Sequence, residues 1–353
     1  VTAPEGAGDR HHPAVRRYDV RTPAPFDASA LQDFLTELLG DVDRAASVLD
    51  HGGVWCGDRH WTGEPLPADS ALKIYAFTRE PEGVGLPDPF VLWDDGDLVA
   101  LHKPAWLPIQ GTRASRRFSL EHLAARALDA PGLTAVHRLD RETSGVVLFA
   151  RTGAAAARLH RQFRARTITK TYLAVVSPAA GVSVPGEPFV VRGEMTRAPH
   201  PVHARFVLTE RGGSPSETWF SPVPPGRAAP ASSCTDPTRM APVLARPSTG
   251  RTHQIRVHLA SRGLPLQGDT LYGPAPSAAG VGAGNGAGRL QLHALALAFH
   301  AGDRRQTVQA PTPPDLLWHL PGRPTAGLID PAEAEEIEDL FSHVPRIALG
   351  FGR

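Results

Sequence analysis

Cysteine is almost missing from this 353-residue chain, with Cys56 and Cys234 the only two. Two thiols cannot build a disulfide framework, nor a structural zinc site by themselves. Lysine is nearly as scarce: Lys73, Lys103 and Lys170 are all there are, and arginine carries the rest of the basic charge. No apolar run approaches the roughly eighteen residues of a membrane-spanning helix. The first residues lack the basic, apolar, small-residue order of a secretory signal. The expectation is a soluble, cytoplasmic protein with no membrane association. Also missing are a glycine loop ending in Lys-Ser or Lys-Thr, a dinucleotide fingerprint and a Gly-x-Ser-x-Gly elbow. The net charge of +1 shows no overall basic excess.

What is present is unevenly spread. Leu31 to Glu80 holds nine acids against four bases, and Ala326 to Arg353 six against two. His137 to Lys170 holds eight bases against two acids. An acidic start and tail thus flank a basic centre, a pattern that allows a local polyanion site. Gly (34) and Pro (35) crowd certain stretches, where long loops are expected.

Residues 1–28 show no sustained period and read as a flexible arm. Leu31, Phe34, Leu35, Leu38 and Leu39 follow helical spacing, and Gly40 suits a helix end. Ala45 to Leu49 reads as a second short helix. Residues 29–80 therefore form a small module, and 81–89 a linker. The main domain spans 90–325. Its expected strands include Gly145–Ala150, Thr171–Val176 and Ala204–Leu208. Its expected helices are Leu120–Leu128, Ala154–Phe163 and Thr252–Ala260. Residues 211–238 and 273–288 read as loops, and 326–353 as an acidic helix and tail. Strands and helices mix without a βαβ rhythm. That favours an α+β fold on a mixed, largely antiparallel sheet.

Three segments carry candidate chemistry. In HRLDRETSG, from His137, Asp140 lies between Arg138 and Arg141, and neighbouring guanidinium groups favour an ionised carboxylate. Gly145 permits close backbone approach. The bland alternative is an Asp that caps a turn. In KTYLAVV, from Lys170, Tyr172 is either a core residue or a face on which a base can stack. In STGRTHQIRVHLA, from Ser248, Arg256 sits among apolar neighbours and needs an anionic partner, for which Asp140 is a candidate. His253 and His258 are five apart, the wrong spacing for a shared metal on one helical face. In GLPLQGDTLYG, from Gly263, the Gly-Asp pair reads as a tight turn. His293, in an apolar run, reads as a satisfied core histidine.

These segments, in this order, resemble the RluA-type pseudouridine synthase family. LVALHKPAWLPIQGT before them, and PLQGDTLYG and LHALALAF after them, are similar to that family's flanking segments. The resemblance spans Leu98 to His300. It implies a mixed-sheet catalytic domain with a central RNA-binding cleft. It also implies isomerisation of uridine to pseudouridine in ribosomal or transfer RNA, with no cofactor and no metal. Asp140 falls on the family's catalytic aspartate, Tyr172 on the tyrosine near the target base and Arg256 on the basic partner of the aspartate. Arg138 falls on an arginine that helps hold the RNA. Arg141, Lys170, Arg251, His253, Arg158 and Arg161 complete the expected RNA-binding set, with Arg151, Arg164 and Arg166 as further backbone contacts. The resemblance also implies that residues 29–80 are a degenerate RNA-binding module of the alpha-L type, acidic where that module is usually basic. A monomer with no obligate protein partner is expected. Two competing readings are a non-catalytic RNA-binding protein of the same fold, and a hydrolase using Asp140 with His137 as acid or base.

Overall fold

A computed structural model describes residues 15–78, 83–198, 205–223, 240–273 and 289–317. Cys234, most of the two expected Gly/Pro-rich loops and the expected acidic helix at 331–341 lie outside the described residues. No helix among the described residues is long and apolar enough to cross a membrane.

The N-terminal part is a two-helix, four-strand unit. It runs β1 (Val15–Arg21), α1 (Ala28–Leu39), α2 (Val42–His51), β2 (Val54–Cys56), β3 (Arg59–His60) and β4 (Ala71–Phe77), with sheet order β1-β4-β2-β3. The leucine spacing forms α1 as expected: Leu31, Leu35 and Leu39 are buried against Val48, Val54 and Ile74. Asp27 caps its first turn by accepting the Ala30 N–H, and Gly40 closes it at φ 69°. Gly has no Cβ to oppose that left-handed conformation. The expected flexible arm is corrected from residue 15 onward. β1 pairs antiparallel with the whole of β4, so its backbone groups are satisfied in a sheet.

The larger sheet has eleven strands. It uses β5 (Val91–Asp94), β6 (Leu98–Lys103), β7 (Thr134–Ala135), β8 (Ser144–Ala150), β9 (Thr169–Val176), β10 (Phe189–Ala198), β11 (Arg205–Thr209), β12 (Ser214–Pro222), β13 (Ala241–Pro247), β14 (Leu292–Ala301) and β15 (Arg304–Gln309). The order is β11-β10-β12-β13-β9-β14-β8-β6-β5, with β15 on β14 and β7 on β8. Among the described residues every pairing in it is antiparallel except β8 with β14.

Helices cover both faces of the sheet. On one face, α3 (Leu120–Ala127) and α5 (Gln254–Ser261) pack through Leu120, Ala124, Ile255 and Leu259 onto Val147, Phe149, Ala174 and Phe220. On the other, α4 (Gly153–Ala165) packs through Ala155 and Leu159 onto Val146, Leu148 and Phe299. β8 is buried on both faces, which explains its unbroken apolar run. The short α6 (Pro314–Leu317) adds Leu316 to a small cluster with Leu244 and Leu295.

A second correction concerns 211–238. Residues 214–222 are strand β12, paired on both sides despite their Pro and Ser content. Phe220 there is fully buried.

The two units touch through residues 113–117. Arg116 N–H donates to the His51 carbonyl (2.9 Å), and Trp55 Nε1 donates to the Arg113 carbonyl (2.8 Å). Ser115 Oγ accepts the Phe118 N–H and lies 2.8 Å from His51 Nδ1 in a buried hydrogen bond.

Candidate active site

A cleft of about 780 Å³ opens where the β7–β8 connection, the end of α4, the start of β9 and the loop entering α5 meet. Asp140, Tyr172 and Arg256 all line it, as do Arg138, Lys170, Arg251 and His253. Residues distant in sequence are thus gathered by the central strands and by α5.

Asp140 lies in the loop before β8, closed by a hydrogen bond from Thr143 N–H to the Asp140 carbonyl (3.1 Å). Lys103, at the end of β6 and fully buried, holds this loop from beneath. Its Nζ donates to the carbonyls of Pro104 (2.9 Å), Arg141 (2.9 Å) and Thr143 (2.6 Å). Burial pulls the Lys103 pKa well down, and the Asp140 charge opposes that pull. The β8 strand that follows starts at Ser144 and Gly145. Gly145, at φ 120°, lies so close to β14 that a Cβ would stand 2.2 Å from the Ala294 carbonyl oxygen. The close backbone approach expected of this glycine is what the structure shows.

Helix α5 is shorter than the sequence predicts. It begins at Gln254, with His253 before it in the left-handed region at φ 58°. Arg251 and Thr252 therefore precede the helix and do not share faces with Ile255 and Arg256. Every residue from Gln254 to Leu259 is buried, polar ones included. Such polar groups require partners. Gln254 Nε2 donates to the Glu217 carbonyl and to Thr218 Oγ1, its Oε1 accepts from Thr249, and His258 Nε2 meets Ser216.

Arg256 finds two carboxylates. Its Nε and Nη2 donate to Asp269, both at 2.8 Å, and its Nη1 approaches Asp140 Oδ2 at 3.6 Å. The expected pairing with Asp140 is therefore the longer of two, and Asp269 takes the bidentate contact. Burial works against the Arg256 charge, but the hydrogen bonds and attraction of Asp269, then Asp140, raise its pKa. Burial likewise opposes the Asp269 charge, and Arg256 with two backbone N–H groups overcomes this, lowering its pKa. Those N–H groups belong to Leu271 and Tyr272, so one carboxylate fixes both the arginine and the turn.

Tyr172 on β9 is 9% exposed. Burial, reinforced by the Asp140 charge, pushes its pKa up, so the side chain is a neutral phenol. Lys170, two residues earlier, donates to the Thr249 carbonyl at 2.6 Å. Burial, then Arg166, lower its pKa to about 8.

The other expected residues are less central. Arg141 stacks over Trp106 at 5.3 Å and pairs with Glu142 at 3.4 Å. Arg158 pairs with Asp97 at 2.6 Å and Arg151 with Asp94. Neither they nor Arg161 line the cleft, whereas Arg164 and Arg166 do. His137 lines it but is committed elsewhere. Its Nε2 accepts the Leu148 N–H (2.9 Å), and burial lowers its pKa to about 3. That removes the acid or base on which the hydrolase reading depended. His293 is a satisfied core residue, fully buried against Ser144.

The comparisons with known proteins agree with this architecture. The family described as RNA pseudouridylate synthase matches residues 97–261. The ribosomal large subunit pseudouridine synthase D of Nitrosomonas europaea is 29% identical over 251 residues, 69% of this chain and 67% of that protein. The synthase C of Haemophilus influenzae is 33% identical, covering 62% of this chain and 63% of that protein. The synthase C of Escherichia coli is 34% identical, covering 60% and 62%. The matches thus span 62–67% of the length of these relatives. Among solved structures, human RNA pseudouridylate synthase domain containing 1 superposes with a TM-score of 0.53 at 25% identity, covering 75% of this chain and 98% of that one. Over residues 97–261 the chain is thus similar to the RNA pseudouridylate synthase family, and the relatives it matches are pseudouridine synthases of the kind its motifs resemble.

Proposed function

We propose that this protein isomerises uridine to pseudouridine in structured RNA, with Asp140 as the reacting carboxylate and large-subunit ribosomal RNA as substrate. The observation that carries this reading is Asp140 itself. It is a carboxylate in an open cleft, held by an arginine that a second carboxylate fixes, beside the neutral phenol of Tyr172. The names of the curated relatives support the choice of ribosomal RNA. The cytoplasm is the compartment this substrate implies.

The reaction breaks the bond from ribose carbon 1 to uracil nitrogen 1. The base turns, carbon 5 bonds to carbon 1, and the proton on carbon 5 leaves to solvent while nitrogen 1 gains one. Atoms and electrons balance within the nucleotide, so no cofactor is required. Asp140 either adds to carbon 1 or removes a proton from carbon 2. Arg256 aims the carboxylate in both cases. The target must leave its helix, at a cost of a few kcal/mol that contacts to the RNA backbone offset. Arg138, Arg164, Arg166, Lys170 and Arg251 supply positive charge around the cleft for this.

The test uses RNA tritiated at uracil carbon 5, taken from cells lacking the protein. Tritium released to water by the wild type and not by Asp140→Ala supports the reading. No release by a folded protein that still binds RNA leaves a non-catalytic RNA-binding protein. No release and no binding overturns the reading entirely.

A further inference from the structure

We infer that His253 is a positioning residue for Asp140, set by Tyr272 so that its Nε2–H faces the carboxylate. The inference rests on the reading of Asp140 as the reacting group and adds a second, neutral donor to it. His253 Nε2 lies 3.9 Å from Asp140 Oδ2, the same oxygen that Arg256 Nη1 approaches. The ring's other nitrogen, Nδ1, lies 2.9 Å from the Tyr272 hydroxyl.

The inferred tautomer fits a chain of donors. Phe206 N–H donates to the Tyr272 oxygen at 2.9 Å. In the arrangement we infer, Tyr272 accepts that N–H and gives its one proton to His253 Nδ1. The neutral imidazole then carries its hydrogen on Nε2, the atom directed at Asp140. An imidazole held in one tautomer by the bond its second nitrogen makes is a recurring device for orienting a reacting group.

The elements around it are built for this role. Two guanidinium groups stand over the Tyr272 ring, Arg256 at 5.2 Å and Arg205 at 5.8 Å. Its backbone N–H is fixed by Asp269, the carboxylate that also grips Arg256. Thus Asp269 locates both groups that meet Asp140 Oδ2: Arg256 directly and His253 through Tyr272. His253 itself sits at φ 58°, outside the helix it precedes, with no capping hydrogen bond from its side chain. With Oδ2 engaged from two sides, Oδ1 is the oxygen left to work on the ribose. A separation of 3.9 Å is long for a hydrogen bond, but such contacts tighten when substrate closes the site.

The test measures single-turnover tritium release and RNA affinity side by side. His253→Asn keeps an acceptor for Tyr272 and tolerates the left-handed backbone, but loses the donor toward Asp140. The expected result is a rate lower by about ten- to a hundredfold, the range for one hydrogen bond to a charged group, with RNA affinity within about twofold of wild type. His253→Gln, which can return an N–H to the same place, restores most of the rate. Tyr272→Phe, which also takes the acceptor from the Phe206 N–H, lowers the rate by releasing the tautomer, and decides the matter should His253→Asn fail to fold. An unchanged rate in His253→Asn, a loss confined to RNA affinity, or a Gln variant no better than Asn overturns the inference while leaving the proposed function standing. Absence of release by the wild type itself refutes that function, and this inference with it.

Discussion

Arg256 gives Nε and Nη2 to Asp269, each at 2.8 Å, and only Nη1 to Asp140, at 3.6 Å. The two carboxylates differ in surroundings as well as distance. The Asp269 side chain is fully enclosed, and that of Asp140 is 27% exposed, toward the cleft. One aspartate holds the arginine in place, and the other, in the proposed reaction, keeps an oxygen free for substrate. Division of this kind lets a buried guanidinium orient a reacting group without neutralising it in a tight ion pair.

Asp269→Asn should therefore be the costlier change for the fold. It leaves the buried Arg256 without its bidentate anion, and breaking a buried pair from one side costs about 3–5 kcal/mol. Asp140→Asn should change stability by less than about 1 kcal/mol, because its contact is long and partly solvated. Denaturant midpoints of the two variants check this. Asp269 titrates below its ordinary 3.8. Its contribution to stability is present at neutral pH and disappears as the pH falls through that lowered value.

Lys170 gives a prediction at the alkaline end. Its pKa is about 8 against an ordinary 10.5, through burial first and Arg166 second. The cleft loses one positive charge as pH rises through 8, so RNA affinity should fall between pH 7 and 9. The slope of log affinity against log salt should shrink by somewhat less than about one. Lys170→Arg, charged throughout, should flatten the profile. Stability moves the other way. Between pH 8 and 10.5 the unfolded chain holds the proton that the folded chain has lost, so Lys170's contribution to stability rises with pH across that window.

Gly145→Ala tests the seam between β8 and β14. The new Cβ would meet the Ala294 carbonyl oxygen at 2.2 Å and nitrogen at 2.6 Å, on a backbone at φ 120°. Nothing there can yield, since both atoms belong to a paired strand. We expect a loss of roughly 4 kcal/mol or more, read as insoluble protein or a collapsed melting temperature. Gly96→Ala, at φ 92° in an exposed turn with nothing within 4 Å, carries the backbone strain alone and serves as the comparison.

Local signals were legible where one face or one short loop decides the structure. The leucine spacing in 31–39 with Gly40, the apolar run of β8 and the approach at Gly145 were all readable. β1 was hidden because its alternation is broken: exposed Arg16 falls on the face of Tyr18 and Val20, opposite Arg17, Asp19 and Arg21. β12 was hidden by composition: Ser and Pro look like loop until Phe220 is seen buried between β10 and β13. Asp269 as the partner of Arg256 was not legible. A Gly-Asp turn and an ion pair use the same residue, and only the turn has a local signature. Arg158 and Arg151 looked like RNA contacts because sequence gives their charge but not Asp97 and Asp94 opposite them.

The acidic N-terminal unit leads to the last prediction. Its Asp50 pairs with Arg117 and its Asp58 with Arg113, so two arginines of the large domain face aspartates instead of solvent anions. Both pairs are at least half exposed on one side, so each is worth only about 0–1 kcal/mol. The units are joined more firmly by the buried Ser115–His51 bond and by the Arg116 and Trp55 contacts to backbone. Asp50→Asn combined with Asp58→Asn should therefore leave the melting temperature nearly unchanged. It should still raise RNA affinity at low salt and steepen its salt dependence, by up to about 0.7–0.9 in slope for each arginine that reaches a phosphate. A steeper slope would mean that the segment 113–117 belongs to the RNA-binding surface and that the unit beside it holds affinity down. An unchanged slope would place that segment away from the RNA and assign those aspartates to docking alone.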